Sequence, residues 1–231
     1  MLRRFEMYSV RPEVPEAIVH EMEDAFLRCG RYIPELLHCA VGSNLSSAPI
    51  DVVWEHAYES PAAYQRYMVH RYHANILDRY LLGDCPENII MRNELGDAGL
   101  VGYVCDEPVY LMTGGVRRLV LLGVKRDAPA ETVRRLEDEL RAAPSHASQL
   151  TLSVVGANTM GSAWFDGVTP ITPPSTWTHC WEQGFATVAD LDAYRDGDSP
   201  LAEVERSAWD GFMGAIVERA VDVYYRIRPG D

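Results

Sequence analysis

The sequence predicts an α+β fold: two tandem βαββαβ repeats, the ferredoxin-like order, packed sheet to sheet within one chain. Three observations predict it. Displaced by 114 positions, Arg3–Asn44 aligns with Arg117–Asn158 without a gap, and 11 of the 42 positions are identical, where composition alone gives about two or three. Beyond Asn44 the offset becomes 127, pairing Trp54-Glu55 with Trp181-Glu182, Tyr58 with Phe185, Ala62 with Ala189 and Tyr67 with Tyr194. Finally, a four-stranded sheet with helices on one face leaves its other face bare, and a second such sheet covers it.

Each repeat opens with a strand, Phe5–Val10 or Leu119–Val124. A helix follows, because Pro15 and Pro129 suit a first helical position and Ile18, Met22, Phe26 and Cys29 recur at helical spacing. A short second strand ends at Val-Gly-x-Asn (Val41–Asn44, Val155–Asn158), where glycine and asparagine read as a turn with cheap positive φ. The third strand, Val52–Tyr58 or His179–Phe185, is rich in β-branched and aromatic residues. A second helix runs from Pro61 to about Leu82, or from Val188 to about Ala220 with an interruption near Pro200. Val109–Met112 and Val221–Ile227 close the two units.

These readings place one repeat at 1–112, with 83–107 as an elaborated connector marked by Gly-Asp-Cys-Pro and Gly-Asp-Ala-Gly. The second repeat occupies 113–231 and carries an inserted loop at 159–177. That loop is rich in Gly, Pro, Thr and aromatics, and is expected to fold over a barrel mouth with Trp164 and Phe165 as apolar wall.

Composition narrows the function classes. A formal charge of −13, without a compensating basic cluster, argues against nucleic acid as a partner. Apolar runs are far shorter than the roughly 20 residues of a transmembrane helix, so no membrane role is expected and a cytoplasmic location follows. Five scattered cysteines, never in C-x-x-C, suggest neither a disulfide framework nor a thiolate metal site.

Four pieces carry a family likeness: Arg3-Arg4-Phe5, Arg11-Pro12-Glu13-Val14-Pro15, Ile33-Pro34 and the segment Tyr67-Met68-Val69-His70-Arg71-Tyr72-His73. In these pieces the first half resembles the Dabb (stress-responsive A/B barrel) family, within the dimeric α/β-barrel superfamily. In particular, it resembles the plant polyketide cyclases that make olivetolic acid. The family signature is Tyr-x-x-His-Pro-x-His, read here with Arg71 in the place of proline.

The resemblance implies an intrachain dimeric α/β barrel. It implies acid/base chemistry by Tyr67 and His73, with His70 beside them and no metal or organic cofactor. It also sets Arg4 and Val52 at pocket positions on the first and third strands. The second repeat reads Tyr194-Arg195-Asp196-Gly197-Asp198-Ser199-Pro200, with no histidine, so a single site per chain is expected.

From the residues alone, a histidine titrating near neutrality can take a proton, and a tyrosine one turn away can orient it or hold a developing enolate. Tyr67 with His70 and His70 with His73 are one-turn neighbours on one side of the helix start, and His73 reaches back towards Tyr67 only if the helix turns tightly or breaks at Arg71; packing or capping is the competing reading. On the third strand Trp54 and His56 share a face, opposite Glu55. Trp54-Glu55 recurs in the second repeat while His56 becomes Gln183, which makes His56 the freer candidate. An ion shared by His70, His73 and Glu55 is the metal alternative, against which no third ligand is dictated by spacing.

The expected activity is a cofactor-independent lyase or cyclase on a small aromatic or polyketide-like substrate. His73, Tyr67 and His70 are catalytic in this reading; Arg4, His56, Trp54, Tyr72, Trp164 and Phe165 bind substrate. A non-catalytic ligand-binding barrel and a cofactor-free monooxygenase are the alternatives. The chain is expected to be a monomer acting as its own pseudo-dimer, with a homodimer as the alternative.

Overall fold

In a computed structural model, the described residues are 1–83, 85–91, 95, 100–105, 111–142, 148–160, 177–196 and 210–230. The first sheet grows around β1 (Leu2–Val10), whose alternating side chains are buried on both faces. β3 (Val52–Tyr58) pairs antiparallel with one side of β1, and β2 (Leu36–Ser43) pairs with β3. The other side of β1 takes β5 (Val101–Val104) beside Leu2–Phe5 and the short β4 (Ile90–Met91) beside Ser9 and Val10.

The second sheet has the order β7-β8-β6-β9, from β6 (Val116–Val124), β7 (Leu150–Ala157), β8 (His179–Phe185) and β9 (Val217–Arg226). This is the order β2-β3-β1-β5 again. The registers correspond too, since Arg4 lies opposite His56 and Arg118 opposite Gln183. A mixed α/β ferredoxin-like arrangement with two antiparallel sheets results.

The inner faces meet in one apolar cluster that includes Phe5, Met7, Val53 and Val101 from the first sheet and Leu119, Leu121, Val223 and Tyr225 from the second. At its centre lie four buried charges. Arg3 pairs with Glu182 at 2.8 Å, and Arg117 pairs with Glu55 at 3.1 Å and with Glu182 at 2.7 Å. Tyr103 donates to Glu182 and Tyr225 donates to Glu55, each at 2.5 Å. Burial opposes ionisation of both carboxyls, but the two guanidiniums, with His38 at Glu55, outweigh it and hold both below the usual carboxylate range. Each sheet supplies two of the four charges. The Arg3–Glu182 and Arg117–Glu55 pairs cross between sheets, as in the self-complementary interface of a two-fold dimer, while Arg117–Glu182 lies within the second sheet.

The barrel closes along two seams. At one, Asn44 bridges Tyr225, the Leu45 N–H donates to the Tyr224 carbonyl, and the C-terminal β10 (Arg228–Pro229) pairs with β2. At the other, the Gly102 N–H donates to the Asn158 side chain, and the Thr159 N–H to the Gly102 carbonyl.

The seams correct the turn reading of Val-Gly-x-Asn. Gly42 and Gly156 lie inside β2 and β7, and neither is among the described glycines with positive φ. They leave room for an aromatic ring instead, because a Cβ would come within 2.2 Å of Tyr225 at Gly42 and 2.4 Å of Tyr103 at Gly156. Those rings carry the hydroxyls that reach Glu55 and Glu182.

Helices cover the outer faces. α1 (Glu16–Leu27) and α2 (Cys29–Tyr32) pack on the first sheet, with Met22, Phe26 and Cys29 in its outer core beside Trp54. α5 (Ala130–Ala142) covers the second sheet through Leu136 and Leu140.

Three further expectations need correction. The strand closing the first unit is Val101–Val104, inside the stretch taken as connector, because it can pair with the free side of β1; Met112 belongs to no strand. In the second half, α6 (Val188–Arg195) is short and β9 already begins at Val217. The helix expected over Pro61–Leu82 is broken in two, as described below. Trp164, Phe165 and nearly all of the inserted loop lie outside the described residues. No helix among the described residues is long and apolar enough to cross a membrane.

Candidate active site

Strand alternation sends Arg4, Glu6 and Tyr8 of β1, and Trp54, His56 and Tyr58 of β3, to the outer face of the first sheet. Above them lies α3 (Pro61–Met68), started by Ser60, whose hydroxyl accepts from the Ala63 N–H, and by Pro61 in the first turn. α3 ends at Val69 and His70. The chain resumes helical structure at Arg71, makes a π-helical turn over His73–Leu77, and ends in α4 (Asp78–Leu81). The break lets His73 fold back over Tyr67, with ring centroids 4.5 Å apart.

Four buried groups converge in this layer. Arg4 Nη1 is 3.3 Å from His56 Nδ1, and the Tyr58 hydroxyl is 3.1 Å from the same nitrogen. A guanidinium only donates, so Nδ1 of His56 is an acceptor and the ring proton sits on Nε2. His73 hydrogen-bonds the Met68 carbonyl through its ring, which leaves Nδ1 as the bare nitrogen. The Tyr67 ring lies between, 5.7 Å from His56.

Among the described residues, Arg4 Nε, His56 Nε2, the Tyr67 hydroxyl and His73 Nδ1 are buried here without a hydrogen-bond partner, as is Glu6 Oε1, which is ion-paired with Arg4. Of the first four, three can donate and one, His73 Nδ1, can only accept. Buried polar groups are normally satisfied, so orphans gathered in one place mark a site that expects a ligand.

The electrostatics keep both imidazoles neutral and the Tyr67 phenol protonated, with His73 far below the near-neutral range expected of the base. Burial and then Arg4 lower His73 to about 3, so its imidazole is neutral at physiological pH. Burial, followed by Arg4 and His73, holds His56 well below its ordinary value too. Burial, with Tyr58 next, pushes the Tyr67 phenol well up, so it is a proton donor and not a phenolate. Arg4 is balanced by Glu6 at 2.5 Å, which also accepts from Tyr8, and its guanidinium lies over the Tyr64 ring.

The second half has the same frame, and among its described residues this layer carries no orphaned polar atom. Arg118 donates to Asp222 at 2.9 Å and to Gln183 at 2.9 Å, and Gln183 donates to the Tyr194 hydroxyl at 2.9 Å. Gln183 in the place of His56 thus closes the hydrogen-bond chain.

Of the sequence candidates, Arg4, His56, Tyr67 and His73 come together. Trp54 backs the site: its ring meets the edge of His56 at 3.9 Å, stacks on Phe26 and donates to Cys39. His70 does not reach Tyr67 and His73 as one helical face, because the helix breaks there and its Nδ1 accepts from the Tyr72 N–H as a cap. Tyr72 packs on Tyr32 and donates to the Ala25 carbonyl, away from the orphaned atoms. Val52 pairs with Tyr8, so the third-strand residue beside Arg4 is His56. Glu55 faces the barrel interior, which separates it from His70 and His73 by the sheet and removes the shared-ion alternative. Glu6, Tyr8, Tyr58 and Tyr64 went unnoticed in the sequence, although the period-two alternation through Arg4 and through Trp54 and His56 points to the first three.

A family comparison matches the segment that builds this layer, residues 2–83, to the Stress responsive A/B Barrel Domain. Residues 2–83 carry a Dabb domain. No curated relative matches the chain. Among solved structures, a Lactobacillus acidophilus NCFM protein, named provisionally as a monooxygenase, superposes with a TM-score of 0.58 at 11% identity, covering 99% of this chain and 95% of its own. An anthrone oxidase-like protein gives 0.62 at 12%, covering 98% and 90%. A variant chlorite dismutase from Candidatus Nitrospira defluvii gives 0.57 at 9%, covering 98% and 90%. At such identities the likeness is one of fold, and it extends the barrel beyond the Dabb segment to nearly the whole chain.

Proposed function

We propose that the chain is a cofactor-independent lyase or cyclase for a small aromatic or polyketide-like substrate. On this reading it is a two-repeat barrel, divided near residue 112, acting as a monomer with one site in the Dabb half. The observation that carries the reading is the group of orphaned polar atoms on Arg4, His56, Tyr67 and His73, set against the satisfied Arg118–Gln183–Tyr194 chain.

The chemistry follows from the donor set. The bare Nδ1 of neutral His73 removes a proton from a carbon acid. The electron pair moves onto the adjacent carbonyl oxygen, where the Tyr67 hydroxyl, the His56 Nε2–H and the Arg4 Nε–H supply three donors for the enolate. Arg4 also suits a substrate carboxylate or thioester oxygen. Trp54, Tyr58 and Tyr64 provide aromatic walls for a planar substrate.

Short poly-β-keto thioesters, incubated with and without dissolved oxygen, test the proposal. Consumption that is independent of oxygen and falls by a factor on the order of 10² to 10⁴ in His73→Asn and Tyr67→Phe supports it. Consumption that requires oxygen selects a cofactor-free monooxygenase, the reading favoured by the names of the structural neighbours. Equal loss in Arg4 and Arg118 variants would contradict the single-site assignment.

A further inference from the structure

The π-helical turn over His73–Leu77 does something an α-helix cannot. Residues five apart on an α-helix point about 140° away from each other. Here the Asp78 N–H donates to the His73 carbonyl, the five-residue step of a π turn, and the two side chains come to the same side. Asp78 Oδ2 lies 3.6 Å from His73 Nδ1, the nitrogen without a hydrogen-bond partner. The two side chains also differ in access to water, with 6% of His73 exposed and 22% of Asp78.

We propose that Asp78 is the positioning residue of this site and the exit for its proton, a step that rests on the reading of His73 as the base. The substrate C–H bond breaks, its electron pair stays on the substrate as the enolate, and the proton goes to His73 Nδ1. Asp78 stabilises the imidazolium against Arg4, accepts the proton on Oδ2, and releases it to solvent at its exposed edge. Burial and the nearby Glu6 carboxylate lift Asp78 to about 6 against the pull of Arg4, which makes it a suitable acceptor near neutrality. The groups facing the pair are Arg4, Glu6 and Tyr8 from β1, His56 from β3, Tyr64 and Tyr67 from α3, and His70 from the helix break.

The test is nitrogen NMR of the His73 ring in the full chain, labelled at histidine and titrated between about pH 5 and 8. In the wild type, His73 Nδ1 shifts with an inflection near pH 6 while the imidazole stays neutral, because protonated Asp78 then donates to it. Asp78→Asn removes that inflection, and Asp78→Glu restores it. A wild-type ring with no inflection near pH 6, or one that persists in Asp78→Asn, overturns the proposal. Thioester consumption is measured alongside. Loss in His73→Asn with no effect of Asp78→Asn on rate or pH profile would overturn the role of Asp78 and leave the base assignment standing. No effect in either variant would overturn both.

Discussion

Tyr67 shows how a single residue separates function from stability in this molecule. Its hydroxyl is buried without a partner, so folding desolvates it for no return. Tyr67→Phe is therefore expected to leave stability unchanged or raise it by about 1 kcal/mol while abolishing turnover, as read by denaturant unfolding beside the thioester assay. The histidines make a second statement at this scale. His56, His73 and His179 all have lowered folded pKa values, in each case first through burial. Below the unfolded value of about 6.5 the unfolded chain binds protons that the folded chain refuses, so each contributes stability that is full above pH 6.5 and lost as pH falls. Asp78, raised to about 6, has the opposite sign, because between about pH 4 and 6 the folded chain holds its proton and the unfolded chain does not. Three histidines against one carboxyl leave a net uptake on unfolding. Stability should fall between pH 6.5 and 4.5 by about 1.4 kcal/mol per unit for each net proton, and more steeply in Asp78→Asn. A flat profile in urea unfolding across that range would mean that the histidines are not buried as described.

At the scale of elements, the two glycines of Val-Gly-x-Asn set the closure of the barrel. Gly42→Ala would drive a methyl into the Tyr225 ring and the Arg226 carbonyl, and the second contact is backbone that cannot swing aside. A loss of roughly 1–3 kcal/mol is expected from thermal or denaturant unfolding. Much of the element order was legible in the sequence: alternation gave the strands, Pro15, Pro61 and Pro129 marked helix starts, and the repeat offsets anticipated the shared register. What was not legible is instructive. The glycines looked like turn residues because sequence shows a missing side chain but not the ring from the other sheet that occupies its place. Val101–Val104 is only four residues long, and its pairing with β1 is a long-range contact that no local pattern reveals. The break at Val69 and His70 and the π turn after it contain neither Gly nor Pro, so helical periodicity runs through them, and only the need to bring His73 back to Tyr67 pointed to a break near Arg71. That break takes His70 off the helical face it shared with Tyr67 and leaves Asp78 Oδ2 3.6 Å from His73 Nδ1.

At the scale of the whole molecule, the crossed Arg3–Glu182 and Arg117–Glu55 pairs make each half depend on the other. A separate half would expose its inner face and lose the crossed partner of its Arg and of its Glu. Glu182→Gln leaves two buried guanidiniums facing one carboxylate, and a loss of about 3–5 kcal/mol is expected in denaturant unfolding. The same architecture frames the proposed single site: one frame, used twice, carries orphaned polar atoms around His56 and a closed chain around Gln183. That contrast is the centre of the account. It is tested most directly by calorimetric binding of a phenolic carboxylate, 2,4-dihydroxybenzoate, to the wild type, Arg4→Met and Arg118→Met. Binding that weakens at least about tenfold in Arg4→Met and is unchanged in Arg118→Met is the predicted result. Binding that survives Arg4→Met, or that depends equally on Arg118, would contradict it.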